Sequence, residues 1–358
     1  MTEYLLSPIR TVTGFGAWRG ALSSVEGLGR RAFVVGGVRG LAAAGPFLEA
    51  LGGRLDALHV EPFRGECSEE SIAHVARNAR GFNSVIGVGG GKAIDTAKAA
   101  AVQCGVSCAT VPTSAATCAA YTPLSILHTE DGAYVKSQRL PRPVAVCIVD
   151  PELMLGGPTR LLAAGCIDAL ARAWDTCLAA RVRVPSLMAE ISVSICSGYW
   201  DRVLRPHAVS AIRDQHDGRR SEQLAQTVDA CIVGAGLAGE TGARFFGRSF
   251  SHAVGYALAD VVDNSVVLHG EAVGLGILVQ CALDPETPVS LPTMLEYFKS
   301  LSAPTRFADL GFDVLSEEAG RDLASATYKL LDLDAAVPFS VTPDDLYRGL
   351  LTVEQFGS

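Results

Sequence analysis

Apolar positions in the first 150 residues fall in short runs, with glycines and amphipathic stretches between them. RRAFVVGG (30–37), a stretch near Leu55–Val60, NSVIGVG (83–89), SCATVPT (107–113) and VAVCIVD (144–150) read as strands, since short apolar runs bounded by turn residues suit buried strands. Residues 41–51, the stretch after Ser68 and Lys92–Val102 read as helices, with Ser68 a natural N-cap. This alternation predicts an α/β fold with a doubly wound, mostly parallel, Rossmann-like sheet. In LSILHTEDGAYVKSQ, Asp131-Gly132 between short β-like segments predicts a hairpin. From about Thr159 the period changes. TRLLAAGCIDALARAWDTCLAA, SLMAEISVSICSGYWDRVL and GEAVGLGILVQCAL carry helical spacing, and strand-like alternation nearly vanishes. The expected organisation is an α/β domain over 1–157 and an all-helical domain over 158–358, divided near Gly156-Gly157-Pro158.

Composition narrows the class. The chain has 358 residues, enough for two packed domains, and 49% hydrophobic against 19% charged residues argues against disorder. A net charge of −8 with no basic tract disfavours nucleic acid as a partner. No apolar stretch is long enough to span a bilayer, which argues against a membrane partner, and MTEYLLSPIR lacks the features of a secretory signal. A cytoplasmic protein is expected. The ten cysteines include no Cys-x-x-Cys pair and lie mostly in apolar runs, so they read as reduced, buried residues. Apolar helices in the second half predict a homo-oligomer, a dimer or larger.

The first candidate chemistry is the turn Gly87-Val88-Gly89-Gly90-Gly91-Lys92, which follows a strand and opens a helix. Bare glycines at 89, 90 and 91 let backbone N–H groups approach phosphate oxygens, the helix start favours negative charge, and Lys92 adds a cation. Neither the Walker spacing nor the usual dinucleotide fingerprint fits, because Ile86 and Ala93 break the first and Lys92 the second. The preceding strand ends at Gly36-Gly37 with no acidic group to bind ribose hydroxyls, and Arg39 follows. Arg39 near Gly37 suits a 2′-phosphate, which, for the nicotinamide cofactor that the resemblance given below implies, favours NADPH over NADH.

GGGKAIDTAKA resembles the GGGK/GGGS-x-x-D-x-A-K signature of the iron-containing alcohol dehydrogenase superfamily, which includes glycerol dehydrogenases, and the resemblance runs through essentially the whole chain. It implies a dehydroquinate-synthase-like fold and an NAD(P)H-dependent oxidoreductase. It places Gly91, Lys92 and the signature's Asp95 with the cofactor. VPTSAATCAAYTPLSILHTEDG is similar to the segment lining the nicotinamide, with Thr113, Thr122, Leu124 and His128 as contacts. In the second half, AAGCIDALARAW, SFSHAVGYAL and LHGEAVGLG resemble the family's metal-ligand motifs and imply Asp168, His252 and His269 as ligands. One carboxylate and two imidazoles suit one divalent metal, Zn²⁺ or Fe²⁺, able to polarise a carbonyl, with the three ligands catalytic through it. Glu271 is expected to orient a ligand.

Two departures from the family pattern bear on substrate. Counting back from Leu124, Cys118 stands on the substrate side where glycerol dehydrogenases carry Asp. Loss of that negative charge favours an anionic small molecule, a 2-oxo or 2-hydroxy acid, and TCAAYTPLS and FRGECSEE resemble the hydroxycarboxylate dehydrogenase branch. Gly255 stands where many relatives carry a polar residue, so relay through that position is lost, and Tyr256 or water is left to replace it. The alternatives are a polyol dehydrogenase, a reductase of imines or specialised ketones, and a dehydroquinate-synthase-like cyclase.

Overall fold

The computed structural model describes residues 5–242, 250–261 and 266–357. The first part runs β1 (Arg10–Thr13), α1 (Ala17–Glu26), β2 (Arg31–Gly37), α2 (Val38–Ala43), α3 (Gly45–Gly52), β3 (Ala57–Phe63) and α4 (Glu69–Asn78). It continues through β4 (Ser84–Gly89), α5 (Gly91–Cys104), β5 (Ser107–Pro112), β6 (Leu124–His128), β7 (Tyr134–Arg139) and β8 (Val146–Val149). Six strands form one parallel sheet in the order β1-β8-β5-β4-β2-β3, and β6 and β7 form a separate antiparallel hairpin.

Side-chain alternation gives the sheet two apolar faces. Val34, Ile86, Val88, Ala109, Val111 and Ile148 pack with Trp18, Leu22, Phe47 and Leu51 on one face. Phe33, Val35, Val85 and Cys108 pack with Ile72, Val75, Ala97 and Ala100 on the other. The chain goes outward from β2 to β3, then returns to β4 on the opposite side of β2. That reversal opens a crevice at the carboxyl ends of β2 and β4, where ligands bind in sheets of this kind.

The expected helix over 41–51 is two helices with a break at Ala44. Pro46 has no N–H to give the Ala42 carbonyl, so it starts a new helix instead of continuing the old one. Both β1 and α1 add to the sequence expectation, and Asp150, buried after β8, ties them to the sheet by accepting from the N–H groups of Gly16 and Trp18.

After β8 the chain is helical: α6 (Thr159–Val182), α7 (Leu187–Tyr199), α8 (Arg205–His216), α9 (Glu222–Asp229), α10 (Ala235–Gly242) and α11 (Phe250–Ala259). Then come α12 (His269–Leu283), α13 (Leu291–Ser300), α14 (Glu317–Leu330), α15 (Leu333–Ala336) and α16 (Pro343–Phe356). Helix α12 is buried from Gly270 to Cys281 and packs against α6, α11 and α16, so it is the spine of this half. No helix among the described residues is long and apolar enough to cross a membrane.

Candidate active site

Three helices deliver Asp168, His252 and His269 to one point. Asp168 lies on α6, His252 on α11, and His269 is the first residue of α12. What lets those helices meet is missing side chains. A Cβ on Gly270 would stand 1.9 Å from the Ala164 carbonyl oxygen, so α12 lies directly on the α6 backbone one turn before Asp168. A Cβ on Gly165 would likewise stand 1.7 Å from the Ala115 carbonyl oxygen, so α6 lies directly on the loop after β5.

One donor atom from each residue falls within 4.8 Å of the others. Asp168 Oδ1 is 3.5 Å from His269 Nε2 and 3.9 Å from His252 Nε2. Ligands of a tetrahedral ion with bonds of about 2.0–2.1 Å stand roughly 3.4 Å apart, so the spacing suits a shared cation. Asp168 and His252 are buried, while His269 keeps 40% of its side chain open to the cleft. Desolvation holds His269 below the ordinary imidazole range, against the pull of Asp168, and this favours the neutral ring a metal needs. The donor set therefore fits a divalent ion.

A residue outside the sequence expectation fixes one ligand. Asp175 Oδ2 lies 2.6 Å from His252 Nδ1, and the same carboxylate accepts from the backbone N–H groups of Ser251 and His252. With Nδ1 engaged, the ring presents Nε2 to the centre. Asp175 stands seven residues after Asp168, two helical turns along the same face, a spacing that could have revealed it. Glu271 does otherwise than expected. Its carboxylate pairs with Arg160 at 2.5 and 2.7 Å and accepts from the Leu268 N–H at 2.9 Å. It fixes the start of α12, and so His269 through the backbone, without touching an imidazole.

The glycine turn lies across the loop from this centre. Gly89 has a φ of +123°, which an L side chain rarely adopts, and Gly90 caps α5 with no side-chain hydrogen bond to the first turn. The helix start thus keeps free N–H groups, and a Cβ at Gly91 would meet only Thr117 and Ala119 at 3.4 and 3.6 Å. This open cradle fits a diphosphate. The loop from Thr113 to Ala119 borders it at Thr117 and borders α6 at Ala115, so one short segment separates the two sites.

The residues expected at the cofactor divide in two. Thr113 donates its backbone N–H to the Gly89 carbonyl, and its hydroxyl stands near Gly40. Gly37 caps α2, and Arg39 is exposed beside it. Lys92 reaches Glu66. His128 is half-buried, burial pushes its pKa down, and its buried Nδ1 has no partner among the described residues, an atom that a ligand could satisfy. Asp95 is buried, pairs with Lys98 at 2.7 Å and accepts from the Ile126 N–H at 3.0 Å. Lys98 in turn donates to the carbonyls of Ala119, Thr122 and Leu124. The two residues clamp the segment that carries Thr122 and Leu124, whose carbonyls are spent on that clamp.

A model of the iron-containing alcohol dehydrogenase family matches residues 8–151. Hydroxycarboxylate dehydrogenase A of Escherichia coli (strain K12) is 33% identical over 328 residues, covering 91% of this chain and 90% of that one. The chain belongs to the iron-containing alcohol dehydrogenase family. A glycerol dehydrogenase of Thermotoga maritima is 28% identical over 82% of this chain and 81% of its own length. The crystal structure of a probable glycerol dehydrogenase from Sinorhizobium meliloti 1021 superposes with a TM-score of 0.84 at 26% identity, covering 99% of each chain.

As a member of that family, the protein is an alcohol-dehydrogenase-type oxidoreductase. The family implies NAD(P) and a divalent metal, and the cradle and the donor set fit both. Against that family pattern, Gly255 has a packing reason. A Cβ there would stand 2.6 Å from Val273 Cγ1 and 3.1 Å from its backbone, so the position faces α12 and has no room for a polar group. Tyr256 instead lines the centre, its ring 6.1 Å from those of both His252 and His269 and stacked at 5.9 Å on Tyr134 of the hairpin. Burial keeps its phenol protonated. Cys118 packs against the helical core within reach of the Asp168 charge. Burial, and then the charge of Asp168, push its thiol up to about 12, so it is neutral at physiological pH.

Proposed function

We propose that the protein transfers a hydride between NADPH and a small 2-oxo or 2-hydroxy acid at a centre of one Zn²⁺ or Fe²⁺ held by Asp168, His252 and His269. The observation that carries this reading is the convergence of those three donor atoms within 4.8 Å on the far side of the loop bordering the glycine cradle. A divalent ion held there supplies Lewis acidity toward a carbonyl oxygen. The chain's own residues do the rest. The α5 start and the cradle glycines bind the diphosphate, Asp175 orients His252, and Tyr256 presents a protonated hydroxyl beside the cleft.

The acid substrate is supported by Cys118, whose neutral thiol puts no negative charge against an anion. The resemblance to a hydroxycarboxylate dehydrogenase points the same way. NADPH is favoured because β2 ends without a carboxylate and Arg39 is exposed beside it. We read the enzyme as cytoplasmic, acting on small molecules without nucleic acid or membrane. We also read it as self-associating, since Leu187 and Ile191 leave an apolar edge of α7 exposed. The two sequence halves, 1–157 and 158–358, would then be the nucleotide-binding and the metal-binding domain.

The test is oxidation of NADPH and NADH by protein reloaded with Zn²⁺ or Fe²⁺ after chelation, with 2-oxobutanoate and dihydroxyacetone compared. We expect net cofactor consumption, at least about tenfold higher kcat/KM for the oxo acid, and a preference for NADPH. A clear preference for dihydroxyacetone would overturn the acid reading in favour of a polyol dehydrogenase. Turnover of a cyclisable substrate with no net cofactor consumption would make the protein a cyclase.

A further inference from the structure

Between the metal ligand Asp168 and its supporting carboxylate Asp175 stands Arg172. In a helix of 3.6 residues per turn, position 172 lies about 40° round from 168 and about 60° from 175, so all three share one face of α6. Arginine is rarely buried without a partner. Arg160 and Arg181 are both more exposed than Arg172, yet each closes ion pairs with carboxylates at 2.5–2.8 Å. Arg172 is partly buried and, among the described residues, donates no hydrogen bond and closes no ion pair. Its charge acts on Cys118, Asp168, Tyr256 and Asp175, the residues that line or underlie the cleft.

We propose that Arg172 is the carboxylate anchor of the site, holding an organic acid whose carbonyl faces the Asp168–His252–His269 centre. The choice of acid rests on the reading given under Proposed function. The cation itself does not.

The charge balance calls for such a ligand. Asp168 and Asp175 are engaged by the metal site and by His252 and Ser251. Among the described groups named here, a divalent ion with Asp168, Asp175 and Arg172 carries one positive charge, which a monocarboxylate cancels. A guanidinium also receives a carboxylate through two parallel N–H bonds, which fixes the acid's plane as well as its position. Substrates with a carboxyl group next to the reacting carbon therefore gain an interaction that neutral carbonyl compounds lack.

The experiment uses the metal-loaded enzyme and the variants Arg172→Met and Arg172→Lys. Kinetics with 2-oxobutanoate are set beside those with hydroxyacetone, a neutral ketone, and calorimetric titration with oxamate, a non-reducible oxo-acid mimic, gives a readout apart from activity. We expect Arg172→Met to raise KM for 2-oxobutanoate about 10- to 100-fold, to abolish oxamate binding, and to leave hydroxyacetone kinetics within about twofold. Arg172→Lys should restore part of the loss. Equal losses on both substrates, or unchanged oxamate affinity in Arg172→Met, would overturn the proposal and make Arg172 a structural counter-ion. Should the methionine variant not fold, Arg172→Gln carries the same comparison. The two readings fail separately. A wild type that prefers hydroxyacetone yet loses oxamate binding with Arg172 keeps the anchor and loses the oxo-acid function. A wild type that reduces 2-oxobutanoate with a KM indifferent to Arg172 does the reverse.

Discussion

Single side chains decide how the ligands are aimed. His252 cannot turn freely, because Asp175 takes its Nδ1 and also the N–H groups of residues 251 and 252. Asp175→Asn keeps the shape and removes the charge that holds the ring. Metal affinity should fall about 10- to 100-fold, measured by competition with a chromophoric chelator, while cofactor binding is unchanged. Wild-type affinity in that variant would show that packing alone orients the imidazole. The triad itself was legible because each residue sits in a local motif. Asp175 was not, since AWDTCL reads as an ordinary stretch of helix until its two-turn offset from Asp168 is given meaning. The partners of Asp95 were not legible for a different reason. A signature shared with relatives marks a residue as needed without saying which neighbour needs it, and here the neighbours are Lys98 and the Ile126 N–H.

At the scale of elements, the site depends on how closely α6, α11 and α12 approach. Gly270→Ala would drive a methyl group into the Ala164 carbonyl at 1.9 Å, and backbone cannot yield as a side-chain tip can. We expect a loss of about 3 kcal/mol in urea unfolding together with substoichiometric metal by elemental analysis. Full stability with full metal content would mean that α12 can slide without moving His269. The sheet was legible because apolar runs with flanking glycines have few other uses. Strand β1 escaped because RTVT is four residues long, sits at the sheet edge and shows solvent both of its ends. Only its pairing with β8 makes it a strand. The break at Ala44 was hidden because a helical apolar pattern runs on through Pro46, which interrupts hydrogen bonding without interrupting hydrophobicity.

Across the whole molecule, the sheet edge and the helical half are joined by Thr13, whose hydroxyl donates to Asp229 Oδ2 at 3.3 Å. Burial pushes the Asp229 carboxyl up to about 6, and its Oδ1 is buried with no partner among the described residues. The folded value lies above the unfolded one of about 3.9. Its contribution is therefore fully present below the unfolded value and is lost as pH rises through about 6. Asp229→Asn should raise the stability of the protein by roughly 2 kcal/mol at about pH 8 and change it little near pH 4, as followed by thermal unfolding at the two pH values. An equal effect at both would show that the carboxyl does not titrate across this range.

The row of rings from His128 through Tyr134 and Tyr256 to His252 and His269 joins the hairpin to the cation-binding helices. Anything that parts Tyr134 from Tyr256 must lift a turn anchored elsewhere, by Lys136 to Glu69 and by Arg139 to Glu240. The hairpin is thus moored on two flanks, and the placing of the Tyr256 ring beside both imidazoles draws on residues far from them in the chain.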